Sequence, residues 1–134
     1  MLAKILIFAF AACLLQAVLC QMVGGWSDVE DTNSENFQKI VSFATDEISV
    51  QLGSSNKKQA IEILSGRQQV VAGMKYKIVM RIGETDCKVD ENDKDCNLKS
   101  GGEIHKCSAV VWDRAWLNET KLLDYSCEKQ DKTL

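Results

Sequence analysis

Clustered basic residues and long hydrophobic runs are both scarce in this sequence. Its 134 residues contain 16 Lys plus Arg against 19 Asp plus Glu, which gives a formal net charge of −3. Nucleic-acid binding depends on clustered cations that contact phosphates, and no such cluster is visible along the chain, so we expect no nucleic-acid partner. The length fits a single domain and excludes a large multidomain enzyme.

The one long apolar run lies at the N-terminus and is short for a membrane span. Lys4 precedes the apolar residues 5–15, whereas a spanning helix needs about 20 consecutive apolar residues. A charged start, a short apolar core and polar sequence behind it are typical of a secretory signal peptide. We predict a signal peptide over residues 1–20, followed by a secreted, extracellular domain over residues 21–134 with no membrane association.

Cysteine motifs for metal binding are also missing. After residue 20 the chain has four cysteines, no Cys-x-x-Cys pair and one histidine, so we expect no zinc or other metal site. In an oxidising compartment four cysteines indicate two disulfides, for which three pairings are possible. The spacing favours neighbours in sequence, Cys87 with Cys96 and Cys107 with Cys127.

A single histidine leaves little for acid–base or nucleophilic chemistry. An activated nucleophile needs an adjacent base, and His105 lies two residues from Cys107, which we expect in a disulfide. The Gly-x-Ser-x-Gly turn of serine hydrolases is absent as well. We therefore expect no enzymatic activity and interpret His105 as a surface residue.

Apolar residues at three- and four-residue steps predict one amphipathic helix over residues 33–52. Thr32 and Glu35 have the spacing of a capping box, and Gly53 is well placed to end the helix. Residues 54–58 are predicted to form a polar loop. The residues that line the apolar face are Phe37, Ile40, Val41, Ala44, Ile48 and Leu52.

Two strands are predicted after the helix. One begins near Ala60, and over residues 74–82 apolar and basic residues alternate as in a half-buried strand. Residues 69–73 lie between them and read Gln-Val-Val-Ala-Gly, whose glycine can take the positive φ of a tight hairpin turn. The polar residues 83–102 are predicted to be a solvated surface loop.

A second antiparallel pair is predicted from residues 107–112 and 122–127, with Trp116 at the tip between them. Residues 128–134 are predicted to be a frayed polar tail. Residues 21–32 contain a Gly-Gly pair and are predicted to be a mobile arm. The predicted fold class is α+β, with one long helix packed on an antiparallel sheet and two disulfides.

The predicted loops point to recognition of another protein. Hairpin tips normally carry polar residues, yet the first tip is apolar and the second carries an aromatic. Exposed apolar tips add nothing to a core, so they suggest a surface that a partner buries. The alternative for each feature alone is structural: a buried strand for the valines and a core position for the tryptophan.

In these segments the sequence resembles the secreted type 2 cystatins, inhibitors of papain-like cysteine proteases. Residues 69–73 match the family's Gln-x-Val-x-Gly first hairpin, and Gly24 matches its N-terminal glycine. Trp116 matches the tryptophan of the Pro-Trp second hairpin. The four cysteines match the family's two consecutive disulfides in order and spacing, and the resemblance covers essentially the whole secreted domain.

The resemblance implies a curved sheet around the helix, and a wedge of arm and two hairpins that plugs the protease cleft without offering a bond to cut. It implies a monomer that needs no cofactor. A non-inhibitory binding module of the same fold, cathelin-like or fetuin-like, is the alternative, although such relatives generally lack the intact motif. The implied protease-binding residues are Met22, Val23, Gly24, Gln69, Val70, Val71, Ala72, Gly73, Ala115 and Trp116.

The sequence departs from the family pattern in two places. Ala115 stands where the family usually has proline, so the second loop should be more mobile when free and lose more entropy on binding. Some members also inhibit legumain-like proteases through a Ser-Asn-Asp motif after the helix. Here residues 55–57 read Ser-Asn-Lys, displaced and without the acid, so we do not expect that activity.

Two further expectations concern the tips. Asn118 begins the only Asn-x-Ser/Thr sequon, so a glycan is chemically permitted there and would crowd Trp116. The resemblance places Val71 in a strained tip. Opening of that hairpin would allow an inactive, domain-swapped dimer to form.

Overall fold

The computed structural model describes residues 25–92 and 95–133. The predicted signal peptide and the predicted binding residues Met22, Val23 and Gly24 lie outside the described residues. Within the described part, no helix has the length and apolarity needed to cross a membrane. The elements in chain order are β1 (Ser27–Asp28), α1 (Glu35–Gln51), β2 (Asn56–Val71), β3 (Gly73–Lys88), β4 (Glu103–Arg114) and β5 (Glu119–Thr133).

Helix α1 confirms the predicted helix, but its start is capped by a different residue. Ser34 precedes the first turn, and its Oγ accepts a hydrogen bond from the Phe37 amide at 3.3 Å. The predicted capping box of Thr32 and Glu35 is therefore wrong, because the helix begins two residues later than that box requires. Leu52 was predicted on the buried face but is 39% exposed, since it follows the last turn.

The end of helix α1 is set by Gly53, as predicted. Gly53 has φ of 66°, and its amide donates to the Val50 carbonyl at 3.0 Å. The Ser54 amide donates to the Ser49 carbonyl at 3.0 Å, which completes the paired hydrogen bonds of a Schellman motif. The chain reverses so sharply that β2 already begins at Asn56, and the predicted loop over residues 54–58 is correspondingly shorter.

The five strands form one antiparallel sheet in the order β1 to β5, and α1 packs across one face of it. Ile61 and Leu64 are extra residues in β2 that interrupt its register with β3. Such bulges bend a strand and increase its twist. At Gly66 the sheet approaches the helix so closely that a Cβ would lie 2.8 Å from Phe37 Cζ. The sheet thus wraps around the helix, and the predicted fold class is confirmed.

The hydrophobic core lies between α1 and the inner face of the sheet. On β3 every second residue faces the helix, and Ile78, Met80 and Ile82 have no exposed surface. Full burial of one such side chain contributes about 1.5–3 kcal/mol to folding. The other buried apolar members of this cluster are Phe37, Ile40, Val41, Ala44, Ile48, Tyr76, Cys107, Ala109 and Val111.

Several strands extend beyond the hydrophobic pattern that predicted them. Residues 83–88 belong to β3 rather than to a surface loop, and residues 128–133 belong to β5 rather than to a frayed tail. Ser27–Asp28 pairs with β2, so the arm is anchored from Ser27 onward. These segments can be polar and still belong to the sheet, because main-chain hydrogen bonds hold them there. Such bonds leave no hydrophobic pattern in the sequence.

Both disulfides form with the pairing that the spacing favoured. Cys87 and Cys96 have Cα atoms 5.5 Å apart and close the segment after β3. Cys107 and Cys127 lie directly opposite each other on β4 and β5, with Cα atoms 4.1 Å apart. The four bridged cysteines are therefore all in the C-terminal half of the chain, and neither bridge ties down α1 or β2.

Candidate functional site

Both hairpin turns lie at the same end of the sheet. Met74 pairs with Asp113, so the turn between β2 and β3 lies beside the turn between β4 and β5. Ser27 of β1 pairs with Gln68 of β2, and the antiparallel direction leads the preceding chain toward the first turn. We call residues 25–26, 70–73 and 115–117 together the hairpin edge.

The first tip of the hairpin edge is thin and apolar. Val70 is 68% exposed, Val71 is half-buried and Ala72 is exposed. Gly73 has φ of 99°, and a Cβ on it would lie 2.4 Å from the backbone oxygen of Asp113. The tip can therefore lie this close to β4 only because residue 73 is glycine. Glycine adopts the positive φ without strain, and it has no Cβ to collide with β4. Gln69 pairs with Lys75 at the base of this hairpin.

Trp112 on β4 fixes the first tip and was missed in the sequence analysis. Its indole Nε1 donates a hydrogen bond to the Ala72 carbonyl at 2.8 Å. The guanidinium carbon of Arg114 lies 4.2 Å from the centre of the Trp112 ring, a cation–π contact. No local signal identifies this role, because Trp112 and Ala72 are 40 residues apart and meet only through the β3–β4 register.

The second tip is a single 3₁₀ turn over Ala115–Leu117. Asn118 closes it with φ of 49°, and its amide donates to the Ala115 carbonyl at 3.0 Å. Trp116 is 64% exposed and Leu117 is 54% exposed, so both apolar side chains face solvent. Trp116 thus lies at the predicted tip, and Leu117 is a second apolar residue that the sequence analysis did not single out.

Polar contacts hold the base of the second tip. Arg114 forms an ion pair with Glu119, and Lys121 contacts Glu119 at 2.8 Å. The hydrogen bond from Lys121, with Arg114 also near, holds the pKa of Glu119 below its usual range. Thr120 Oγ1 donates to Asp113 at 3.0 Å. The contacts of Arg114 with Glu119 and of Thr120 with Asp113 join β4 to β5 directly below the turn.

The incoming arm is held along β2 by a few polar contacts. Arg67 donates to the Trp26 carbonyl at 3.3 Å and lies 3.7 Å from the Asp28 carboxylate. The Val29 amide donates to the Gly66 carbonyl at 2.9 Å. The prediction of a mobile arm over residues 21–32 is therefore wrong from Ser27 onward, because strand pairing orders that part.

The residues considered for catalysis or a second protease lie away from the hairpin edge. His105 pairs with Ile82 toward the opposite end of β4, and the charged neighbours that shift its pKa are Lys58, Glu103 and Lys129 rather than a serine or cysteine. Asn56, the central residue of the displaced Ser-Asn-Lys sequence, donates to the Thr85 carbonyl at 3.0 Å. Across residues 25–92 and 95–133, no group of three His, Cys, Asp or Glu residues is arranged for a metal.

Acid should destabilise the fold through His105. Its Nδ1 is buried and accepts or donates no hydrogen bond among the described residues, and burial together with Lys58 lowers its pKa below 6.5, against the weaker opposite effect of Glu103. Below about pH 6.5 the unfolded state therefore binds more protons, and the free energy of unfolding should fall until the folded pKa is passed. Urea titrations across this range should show the fall in the natural chain and a smaller one in His105→Gln.

Comparisons with known proteins agree with this geometry. A cystatin-domain family model matches residues 24–116. The chain is 31% identical over 128 residues to "Cystatin-1" of Chilobrachys guangxiensis, covering 89% of this chain and 95% of that protein. It is 30% identical to "L-cystatin" of Tachypleus tridentatus, covering 92% and 96%.

Solved structures show the same fold. Dimeric human cystatin F superposes with a TM-score of 0.74 at 19% identity, covering 81% of this chain and 89% of that one. The salivary cystatin of the soft tick Ornithodoros moubata superposes with a TM-score of 0.66 at 29% identity, covering 78% and 97%. The similarity to the tick protein extends over nearly its whole length.

Proposed function

Because this chain belongs to the cystatin family, whose members inhibit cysteine proteases and are not enzymes, we propose that it is a secreted, tight-binding, reversible inhibitor of papain-like proteases of the cathepsin type. The observation that carries the proposal is the hairpin edge, where two exposed apolar tips lie side by side next to the incoming arm. Such an edge has the shape of a wedge that enters a cleft.

The first tip would reach the walls around the catalytic thiol of the protease. Val70 and Val71 supply apolar surface, and Ala72 and Gly73 keep the tip narrow. The hydrogen bond from Trp112 to the Ala72 carbonyl holds the tip before binding, so less conformational entropy is lost in the complex. The turn is not offered as a substrate, because a tight hairpin cannot lie extended across the catalytic residues.

The second tip and the arm would contact the two sides of the cleft. Trp116 offers a rigid aromatic surface of the kind that dominates protein interfaces, with Ala115 beside it. Met22 and Val23 would lie extended on the opposite side, and Gly24 would let the arm adjust as it docks. The second tip is followed by the sequon at Asn118. A glycan on Asn118 that points toward the protease would lower the affinity for it.

A titration of papain tests the proposal. Adding the purified secreted domain to papain of known active-site concentration should reduce activity linearly to an end point near one inhibitor per enzyme. Trypsin serves as the control and should keep full activity, because its catalytic group and cleft differ. A folded protein, judged by circular dichroism, that leaves papain fully active at equal concentration would instead support the cathelin-like or fetuin-like alternative.

We propose a monomer as the active form. The first tip can inhibit only while the β2–β3 hairpin is closed, so a dimer formed by exchange of α1 and β2 would straighten that tip and lose activity. Both disulfides join residues C-terminal to the first turn and neither involves α1 or β2, so they would permit this exchange even when fully oxidised.

A further inference from the structure

The outer face of the sheet, which points away from α1, collects basic residues on its two central strands. Tyr76, Ile78, Met80 and Ile82 of β3 are buried beneath the helix, so the residues between them point outward. On β4 Cys107, Ala109 and Val111 are likewise buried, so the residues between them also point outward. The outward residues are Lys75, Lys77, Val79 and Arg81 on β3, and Lys106, Ser108, Val110, Trp112 and Arg114 on β4.

These nine outward residues include five cations and no carboxylate, in a chain whose formal net charge is −3. We call the five cations the basic stripe: Lys75, Lys77, Arg81, Lys106 and Arg114. The sequence shows no run of basic residues, because strand alternation separates the cations along each strand. Only the pairing of β3 with β4 brings them together.

Three of the five charges have no ion-pair partner among the residues that the structure describes. Arg81 lies 3.3 Å from Glu62, and Arg114 pairs with Glu119. Lys75, Lys77 and Lys106 form no ion pair within the described part of the chain. The basic stripe therefore keeps a positive potential along its centre, since its unpaired ammonium groups have no carboxylate beside them on the same two strands.

Acidic residues border the basic stripe on both sides. On the β2 side Glu62 lies opposite Arg81. On the β5 side Asp124 lies opposite Val110, and Glu128 lies opposite Lys106. The flanking strands also carry two cations, Arg67 opposite Lys77 and Lys121 opposite Trp112, but Arg67 lies 3.7 Å from Asp28 and Lys121 lies 2.8 Å from Glu119. Because neighbouring strands are about 4.8 Å apart, the unpaired positive charge is confined to a zone two strands wide, whereas from residue 75 to residue 81 it runs roughly 20 Å along the strands.

We propose that the basic stripe binds a linear sulfated polysaccharide of the glycosaminoglycan class. A thin polyanion can lie along β3 and β4 between the acidic borders. A broad anionic surface such as a membrane would contact Glu62, Asp124 and Glu128 at the same time and be repelled.

Single-stranded nucleic acid is also thin, but its binding relies on free aromatic surfaces. Trp112 is the one aromatic on the described outer faces of β3 and β4, and Arg114 covers one side of its ring. The charge pattern therefore favours a polysaccharide over a nucleic acid. This inference does not rest on inhibition of a protease.

Calorimetric titration with a size-fractionated heparin oligosaccharide tests the proposal, at about 50 and about 150 mM NaCl. The natural domain should bind, and binding should weaken as salt increases. The double variant Lys77→Gln/Lys106→Gln should bind roughly thirtyfold more weakly, about fivefold per exposed lysine. The matched control Lys39→Gln/Lys88→Gln loses the same charge elsewhere and should bind like the natural domain. Unchanged binding by the first variant, or no binding by the natural domain at low salt, would overturn the proposal.

A second variant tests the acidic border by gain of binding. Asp124→Asn/Glu128→Gln removes repulsion beside the basic stripe and should bind the same oligosaccharide more tightly, which no loss of folding can imitate. Two competing probes complete the experiment: a single-stranded DNA of equal charge and vesicles containing phosphatidylserine. If either binds as tightly as the heparin oligosaccharide, the polysaccharide assignment is wrong.

Discussion

Replacing Gly73 with alanine should weaken inhibition of papain about 100-fold, while most of the fold survives. The native φ of 99° is unfavourable for any residue with a Cβ, and that atom would lie 2.4 Å from the Asp113 oxygen. The backbone cannot yield as a side chain would, so the tip must move away from β4 and lose the hydrogen bond from Trp112. Strain of this kind costs about 2–3 kcal/mol, which corresponds to that loss of affinity.

Gly53→Ala is the matched control for Gly73→Ala. Gly53 also has a positive φ, of 66°, but a Cβ at this position would meet nothing within 4 Å, and the residue ends α1 away from the hairpin edge. This variant should lose about 1 kcal/mol of stability by denaturant titration, yet inhibit papain normally. If both variants inhibit equally, the shape of the first tip does not matter for binding.

Replacing Trp116 with alanine should weaken the inhibition of papain while leaving the stability of the fold nearly unchanged. Trp116 is 64% exposed in the free protein, so its truncation should change the free energy of unfolding very little. In a complex the ring would be buried, and loss of an aromatic anchor costs about 2 kcal/mol or more, roughly thirtyfold in the inhibition constant. Inhibition assays and urea titrations on the same preparation measure the two effects.

Val50→Ala provides the comparison for Trp116→Ala. Val50 is 58% exposed near the end of α1, far from the hairpin edge, so its truncation removes exposed apolar surface that the proposed protease does not touch. It should leave inhibition unchanged. Equal inhibition by the Trp116 variant and the natural domain would remove the second tip from the proposed interface.

The helix and the first hairpin could be predicted because their signals are local. A three- and four-residue apolar period marks α1, and a single glycine marks each of the two turns at residues 53 and 73. Strand ends could not be predicted, because main-chain pairing holds their polar residues. Leu64 and Leu123 show a further limit: each is the extra residue of a bulge and is exposed, where apolarity alone predicts burial.

The two tips of the candidate site could be predicted from the sequence, but the contacts that hold those tips in place could not. The exposed residues of both tips occupy consecutive positions, so a short motif identifies them. Trp112 supports the first tip from another strand, and the ion pair of Arg114 with Glu119 spans the second turn. The basic stripe is hidden for the same reason, since Lys106 joins the lysines of β3 only through strand register.

The bulges of β2 have a consequence for aggregation. β1 is two residues long and covers β2 only near Arg67 and Gln68, so no strand within residues 25–92 and 95–133 pairs with the outer side of residues 56–65, which form an open edge. A regular open edge invites strands of other molecules to add and grow into fibrils. Here Ile61 and Leu64 break the even spacing of amide donors and carbonyl acceptors along that edge. A regular incoming strand cannot match this spacing, so the bulges that bend the sheet also oppose fibril growth from it.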